Sequence, residues 1–292
     1  MARTVSVGVI QAAFGDDFAA NLAQARDRIR EAAGSGAQVI LLPELFQGPY
    51  FCVRQEEAWF AAAHPWREHP CVAALAPLAG ELGVVLPISI FEREGPHYFN
   101  SLVMADADGS LLGLYRKSHI PDGPGYQEKY YFRPGDTGFR VWETRHGRLG
   151  VGICWDQWYP EAARTMALLG AEILLYPTAI GSEPHDASFD TAAPWRRAMQ
   201  GHAVANVMPV AGANRIGFEP WPDYPGGGQT FYGSSFIADH RGDLVADLGR
   251  DEAGIGLAAF DLDFLDRHRA AWGFFRDRRP DLYGALASPR PA

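Results

Sequence analysis

Gly147-Arg-Leu-Gly-Val-Gly-Ile-Cys-Trp-Asp-Gln-Trp158 is the stretch on which the fold turns. Its small and partly β-branched residues Leu149, Val151 and Ile153 predict a buried strand. The strand is expected to stop at Cys154. Trp155, Asp156, Gln157, Trp158 and Tyr159 follow, then Pro160-Glu161 and a helical pattern through Ala162, Ala163, Met166, Ala167 and Leu169. A thiol where a strand turns into a helix is held on a sharp turn. The N–H of Trp155 then points where an oxyanion would form. The helix N-terminus is expected to favour the thiolate. Position alone leaves a second reading open, a core cysteine, because free cysteine is among the most buried residue types.

Two other strand ends carry chemistry. Val39-Ile-Leu-Leu-Pro-Glu44-Leu-Phe46 is a continuous apolar run that ends in a carboxylate. A buried carboxylate is expensive without a partner or a task. Leu111-Leu-Gly-Leu-Tyr-Arg-Lys117-Ser-His-Ile-Pro121 brings a strand into Arg116-Lys117. Taken singly, each charged residue also reads as an ordinary solvated loop residue.

Taken together, the three segments resemble the nitrilase superfamily of carbon–nitrogen hydrolases. The resemblance runs from Val5-Ser-Val-Gly-Val-Ile-Gln11 to Asp277-Arg-Arg-Pro-Asp-Leu-Tyr283. It implies a catalytic triad of Glu44, Lys117 and Cys154 and a covalent thioester-type intermediate. It also implies an α/β fold, an α-β-β-α sandwich of mixed sheets with outer helices. Longer strings resemble the N-carbamoylputrescine amidohydrolase branch: Cys154-Trp-Asp-Gln-Trp-Tyr-Pro-Glu-Ala-Ala-Arg164, Tyr176-Pro-Thr-Ala-Ile-Gly-Ser-Glu183-Pro, Trp195-Arg-Arg-Ala-Met-Gln-Gly-His202, Phe231-Tyr-Gly-Ser-Ser-Phe236 and Trp272-Gly-Phe-Phe-Arg-Asp-Arg-Arg-Pro-Asp-Leu-Tyr283. That branch implies hydrolysis of N-carbamoylputrescine to putrescine, carbon dioxide and ammonia, a step of polyamine biosynthesis. Two other classes stay open: a sibling amidase, nitrilase or N-carbamoyl-amino-acid hydrolase, and a non-catalytic scaffold or binding subunit.

The 292 residues are 47% hydrophobic and 21% charged, enough to build a large core. A net charge of −9 argues against nucleic acid as a partner, since phosphate binding needs a basic face. It is compatible with a small cationic carbamoylated amine as substrate. Cys52, Cys71 and Cys154 are an odd set without zinc spacing, so neither a disulfide framework nor a metal is expected, and no cofactor. The N-terminus has no signal-peptide pattern, and no run of about 20 apolar residues predicts a membrane span. A reducing cytoplasm is the expected location.

Strands are expected at 5–10, 39–42, 84–91, 99–105, 110–115, 173–176, 208–213, 234–238, 244–247 and 255–260, and helices at 18–33, 71–82 and 195–204. Strand–helix alternation with interleaved hairpins reads as one layered α/β domain over residues 1–292. The loops at 122–126 and 219–228 are Gly/Pro-rich and aromatic, and read as pocket rims. Residues 270–292 interleave aromatics and arginines, as a subunit interface does, so a homo-oligomer is expected; a frayed tail is the other reading.

Among further site candidates, the resemblance gives Glu128 a role in positioning Lys117 or substrate; a surface pairing with Lys129 is its plainer reading. His119, His185 and His202 are the bases a Cys–His hydrolase would need. Asp156 is a candidate to fix the turn. The substrate ammonium wants a carboxylate and aromatic faces. Glu183 is the first candidate, then Asp122 and Asp186, with Tyr50, Tyr126, Trp155 and Trp158 as walls. A carbamoyl amino acid would want arginines instead, and only Arg196 and Arg197 stand out.

Overall fold

A computed structural model describes residues 3–183, 186 and 188–288. The described residues form fourteen strands and five α-helices. The strands are β1 (Thr4–Gln11), β2 (Val39–Leu41), β3 (Leu86–Glu94), β4 (His97–Ala105), β5 (Leu111–Arg116), β6 (Val141–Thr144), β7 (Gly147–Val151), β8 (Ile173–Pro177), β9 (Val210–Ala213), β10 (Ile216–Pro220), β11 (Gly228–Tyr232), β12 (Phe236–Ala238), β13 (Leu244–Asp247) and β14 (Gly254–Asp261). The helices are α1 (Phe18–Gly34), α2 (Pro70–Leu82), α3 (Pro160–Leu168), α4 (Ala192–Asn206) and α5 (Leu262–Trp272).

One layer is the mixed sheet β13-β12-β9-β8-β7-β6. Its centre, β7-β8-β9, is parallel, with Leu149 opposite Ile173 and Leu175 opposite Ala211. The other layer joins β14-β1-β2 to β3-β4-β5 through a parallel bridge between Val39 and Val85. The two layers bury Val7, Val9, Leu41, Leu102, Leu149, Val151, Leu175 and Ala211 between them. The opposite face of the first layer packs on α3 and α4 through Met166, Trp195 and Met199. The opposite face of the second packs on α1 and α2 through Ala25, Ile29, Leu75 and Leu78. This is the expected α-β-β-α sandwich. Burial of both faces explains why the central strands are continuous apolar runs rather than alternating ones.

Local signals set the helix ends. Asp17 accepts from the Ala20 N–H at 3.0 Å and starts α1. Gly83, at φ 67°, ends α2 in the left-handed conformation.

Several expectations need correction. The helix starts at Pro160, where its pattern begins in the sequence, but the cysteine does not lead straight into it: Cys154–Trp158 forms a 3₁₀ turn in between. The segment 219–228 is not purely loop, because Ile216–Pro220 pairs with Gly228–Tyr232 as a hairpin. The sequence reading passed over β6 and α5. No described helix is long and apolar enough to cross a membrane.

Candidate active site

The three charged or reactive strand ends meet at one edge of the sandwich. β2 delivers Glu44, β5 delivers Lys117 and β7 delivers Cys154; β8 delivers Thr178 and Ala179 beside them. Glu44, Lys117 and Glu128 are fully buried. Lys117 Nζ lies 2.8 Å from Glu44 Oε1 and 2.7 Å from Glu128 Oε2. Asn100 Nδ2 donates to Glu44 Oε1 at 2.7 Å, and the Ala179 N–H donates to Glu44 Oε2 at 3.0 Å. The Cys154 thiol points to the carbonyl of the same Ala179, at 3.9 Å. Ala179 therefore links the carboxylate to the thiol.

Cys154 has φ 41°. A left-handed conformation costs a non-glycine residue about 1–3 kcal/mol and persists only where the surroundings impose it. Asp156 imposes it here. Its carboxylate accepts from the Ile153 N–H at 2.9 Å, the Tyr115 hydroxyl at 2.7 Å and the His119 N–H at 3.0 Å.

Electrostatics in this dry site favour a neutral thiol. Burial pushes the Cys154 thiol well above its usual range; Glu44 adds to that and Lys117 only partly offsets it. Burial alone would lower the Lys117 ammonium, but Glu128 and Glu44 outweigh it and hold the group well above its usual range. Burial also raises the Glu128 carboxyl, with Lys117 partly opposing. One cation between two acids leaves no surplus positive charge for a standing thiolate. The expected help from a helix N-terminus is thus absent: α3 begins six residues beyond Cys154, past the last turn over which that field acts.

A cavity of about 370 Å³ opens on Cys154. Asp122, Tyr126, Trp155, Trp158 and Glu183 line it too. No Lys or Arg belongs to its described lining. Burial, with Asp186 nearby, raises the Glu183 carboxyl, and Glu183 forms no ion pair among the described residues.

Residues 6–270 match the carbon–nitrogen hydrolase family. The chain belongs to this family. It is 54% identical over 285 residues to an N-carbamoylputrescine amidase of Arabidopsis thaliana, covering 97% of this chain and 95% of that one. It is 53% identical over 282 residues to a citrullinase of Francisella tularensis, covering 97% and 98%. A solved carbon–nitrogen hydrolase from Helicobacter pylori G27 superposes with a TM-score of 0.93 at 38% identity, covering 99% of this chain and 100% of that one. This carbon–nitrogen hydrolase therefore acts on bonds other than peptide bonds.

The hydrolase places the other candidates as follows. Tyr50 is no cavity wall; it is fully buried and donates its hydroxyl to Glu128 at 2.6 Å. Glu128 is not a surface partner of Lys129. The His119 ring bonds to Asp156 at 2.7 Å and stacks on Tyr159 at 3.7 Å. His202 bonds to the Gln157 carbonyl at 2.8 Å. His185 lies outside the described residues. Asp186 is exposed, holds Ser188 and is not part of the cavity lining. Arg196 bonds to Asp247 and Arg197 is exposed; neither lines the cavity. Sequence reasoning missed Asn100, Asn214 and Arg215. Asn214 grips Ile180 from both sides, accepting its N–H at 3.0 Å and donating to its carbonyl at 2.8 Å. Asn214-Arg215 directly follows the apolar β9, the same signal that exposed Glu44 and Lys117.

Proposed function

We propose that this hydrolase converts N-carbamoylputrescine to putrescine, carbon dioxide and ammonia. Cys154 is the nucleophile, Glu44 the proton carrier, and Lys117 with the Trp155 N–H the oxyanion donors. A urea carbon is a poor electrophile, so it needs a strong nucleophile and fixed positive charge opposite the developing oxyanion. The thiol starts neutral; Glu44 takes its proton as sulfur attacks. Glu44 returns that proton to the departing nitrogen, leaving an acyl group on Cys154. Water then gives a proton to Glu44 and attacks, and the thiol departs reprotonated. When the amine leaves first, the released carbamic acid breaks down to ammonia and carbon dioxide. Glu128 keeps Lys117 charged and aimed.

The observation that carries the substrate reading is the cavity. Cys154 shares its wall with Glu183 and Asp122, aromatic rings surround them, and no cation is among the described lining. A carbamoylated diamine presents a urea to the sulfur and an ammonium to the acid. The second reading, citrulline, draws on the citrullinase relative. Citrulline adds a carboxylate beside the ammonium, which would meet acids instead of a cation. Ammonia release from N-carbamoylputrescine, citrulline, N-carbamoyl-amino acids and simple nitriles, run in parallel, tests this. The diamine derivative should have the highest kcat/KM. A preference for citrulline would overturn the substrate assignment. Inactivity on all, with a Cys154 inert to thiol labelling, would favour the scaffold reading.

We also propose a homo-oligomer in the cytoplasm, where a nucleophilic thiol stays reduced. Beyond α5, Phe275 tucks under Arg164 and Arg269, while Phe274, Leu282 and Leu286 remain exposed. Apolar side chains on an anchored tail suit a subunit contact. Deleting the chain after Gly273, which spares α5, should give a smaller species in light scattering; an unchanged mass would rule the tail out as the contact.

A further inference from the structure

We infer that Arg215 and Glu219 are positioning residues, holding the two carboxylates that flank Lys117 in register through one closed hydrogen-bonded ring. This rests on the reading of Glu44 as the proton carrier. The ring can be followed atom by atom. Glu44 Oε1 accepts from Lys117, which also donates to Glu128 Oε1, each at 2.8 Å. Glu128 Oε1 accepts from the Tyr50 hydroxyl at 2.6 Å. The Tyr50 backbone N–H donates to Glu219 Oε2 at 2.6 Å. Glu219 Oε1 accepts from Arg215 Nη1 at 2.5 Å. Arg215 Nη2 donates to the carbonyls of Glu44 at 3.1 Å and Leu45 at 2.9 Å, closing the circuit.

Arg215 is fully buried and Glu219 nearly so, and neither lines the Cys154 cavity, so neither touches substrate. What they hold is strained. Leu45 has φ 48°, and its N–H is tied to Ser89 Oγ at 2.9 Å. The left-handed residue lets two successive carbonyls, of Glu44 and Leu45, converge on one guanidinium. Arg215 Nη1 also reaches the Gly48 carbonyl at 3.2 Å. A planar fork can serve several acceptors at once; a lysine ammonium cannot reproduce that geometry. The same pair fixes Tyr50 and, through its hydroxyl, Glu128. Both carboxylates thus take their positions from one buried ion pair on β10 and the residue before it.

The test compares Arg215→Lys and Glu219→Gln with Glu44→Gln and wild type. The measurements are kcat and KM for N-carbamoylputrescine, the rate of Cys154 alkylation by iodoacetamide across pH, and the thermal midpoint. A misplacement near 1 Å costs about 100-fold in rate. Folded Arg215→Lys and Glu219→Gln should therefore lose about 100-fold in kcat with KM within about two-fold, and their Cys154 should be alkylated more slowly than wild type near neutral pH, since the base no longer meets the thiol. Glu219→Gln keeps side-chain volume and one acceptor for Arg215, so it should be the milder variant. Near-wild-type kcat and alkylation with a lowered thermal midpoint would assign the pair to the fold alone and overturn the inference. Failure of both variants to fold would do the same. An active Glu44→Gln would overturn the triad and this inference with it, whereas a dead Glu44→Gln beside active ring variants would overturn the inference only.

Discussion

Arg116 and Lys117 are neighbours at the end of one strand, and each anchors a cluster of acids on its own side of the sheet. Arg116 meets Glu92 at 2.6 Å, Glu94 at 2.7 Å and Asp136 at 2.9 Å. Lys117 meets Glu44 and Glu128. Both cations are raised: Arg116 chiefly by its hydrogen bonds to Glu92, Lys117 by two carboxylates that overcome its burial. The clusters differ in what surrounds them. Glu94 and Asp136 are more than half exposed, and among the described residues no thiol adjoins the group. The Lys117 cluster is dry, and the thiol that senses its charges opens on a cavity. A cation among acids is therefore not a site by itself. It becomes one where the charges are fixed away from water and a reactive atom and a space for substrate share their environment.

The largest expected effect comes from breaking the Lys117 side. Cys154→Ala, Glu44→Gln and Lys117→Ala should each remove nearly all turnover from folded protein, and double variants should be little worse, because the three act as a unit. Turnover persisting in Cys154→Ala would end the mechanism. His119→Ala should retain activity; a folded but dead His119→Ala would bring back a Cys–His scheme.

The Arg116 side should fail differently. Arg116→Met strands the fully buried Glu92, and such an orphaned charge costs about 3–5 kcal/mol. Urea unfolding should record that loss. Ammonia-release assays of the folded fraction should show a much smaller drop than for Lys117→Ala. Equal loss of turnover would mean that the two clusters are one machine.

At the cavity, Glu183→Gln should weaken N-carbamoylputrescine by about 2–4 kcal/mol in kcat/KM if the ion pair is desolvated. An uncharged carbamoylated alkylamine should change little. Equal losses would place Glu183 in support of the fold or triad; no loss for either would pass the cation to Asp122.

The smallest effect concerns His69, a buried base outside both clusters. Its Nδ1 accepts the Cys71 N–H at 3.2 Å and caps α2. Burial, with His64 beside it, holds its pKa down at about 3, against 6.5 when unfolded. The unfolded chain takes up a proton below pH 6.5 and the folded chain does not until about 3, so stability falls as pH drops through that window. Between pH 6.5 and 5 the loss is about 2 kcal/mol. His69→Asn keeps a cap acceptor and should lose about that much less over the same interval in urea titrations. Identical acid sensitivity would assign the loss to the carboxylate clusters instead.

Periodicity found the sheet and helix elements that carry the sandwich, because each buried face needs an apolar run of the right period. It passed over β6, a four-residue edge strand, and α5, whose charged residues obscure a face that buries little more than Leu262 and Leu265. It passed over β10 and β11 and read 219–228 as a rim loop, because Gly and Pro crowd the turn between the two strands. It places the start of the helix at Pro160 correctly but not the 3₁₀ turn over Cys154–Trp158, which keeps the thiol too far from that N-terminus for the expected help to its thiolate.

The sequence by itself determined the α-β-β-α architecture, the family, and the three strand-end residues Glu44, Lys117 and Cys154. These are local: a run of apolar residues that stops at a charge or thiol is visible without knowing what lies beside it. Only the tertiary structure decided that Glu128 is buried on Lys117 and that Tyr50 lies behind the site instead of facing the cavity. It alone revealed that Asn100, Ala179 and Arg215 complete the surroundings of Glu44, with Glu219 paired behind Arg215. The bonds from Asn100, Ala179 and Arg215 to Glu44 span 56, 135 and 171 positions of the chain. Whether a charge is paired or solvated depends on which distant backbone folds over it, and burial, not residue type, sets the protonation on which the chemistry turns.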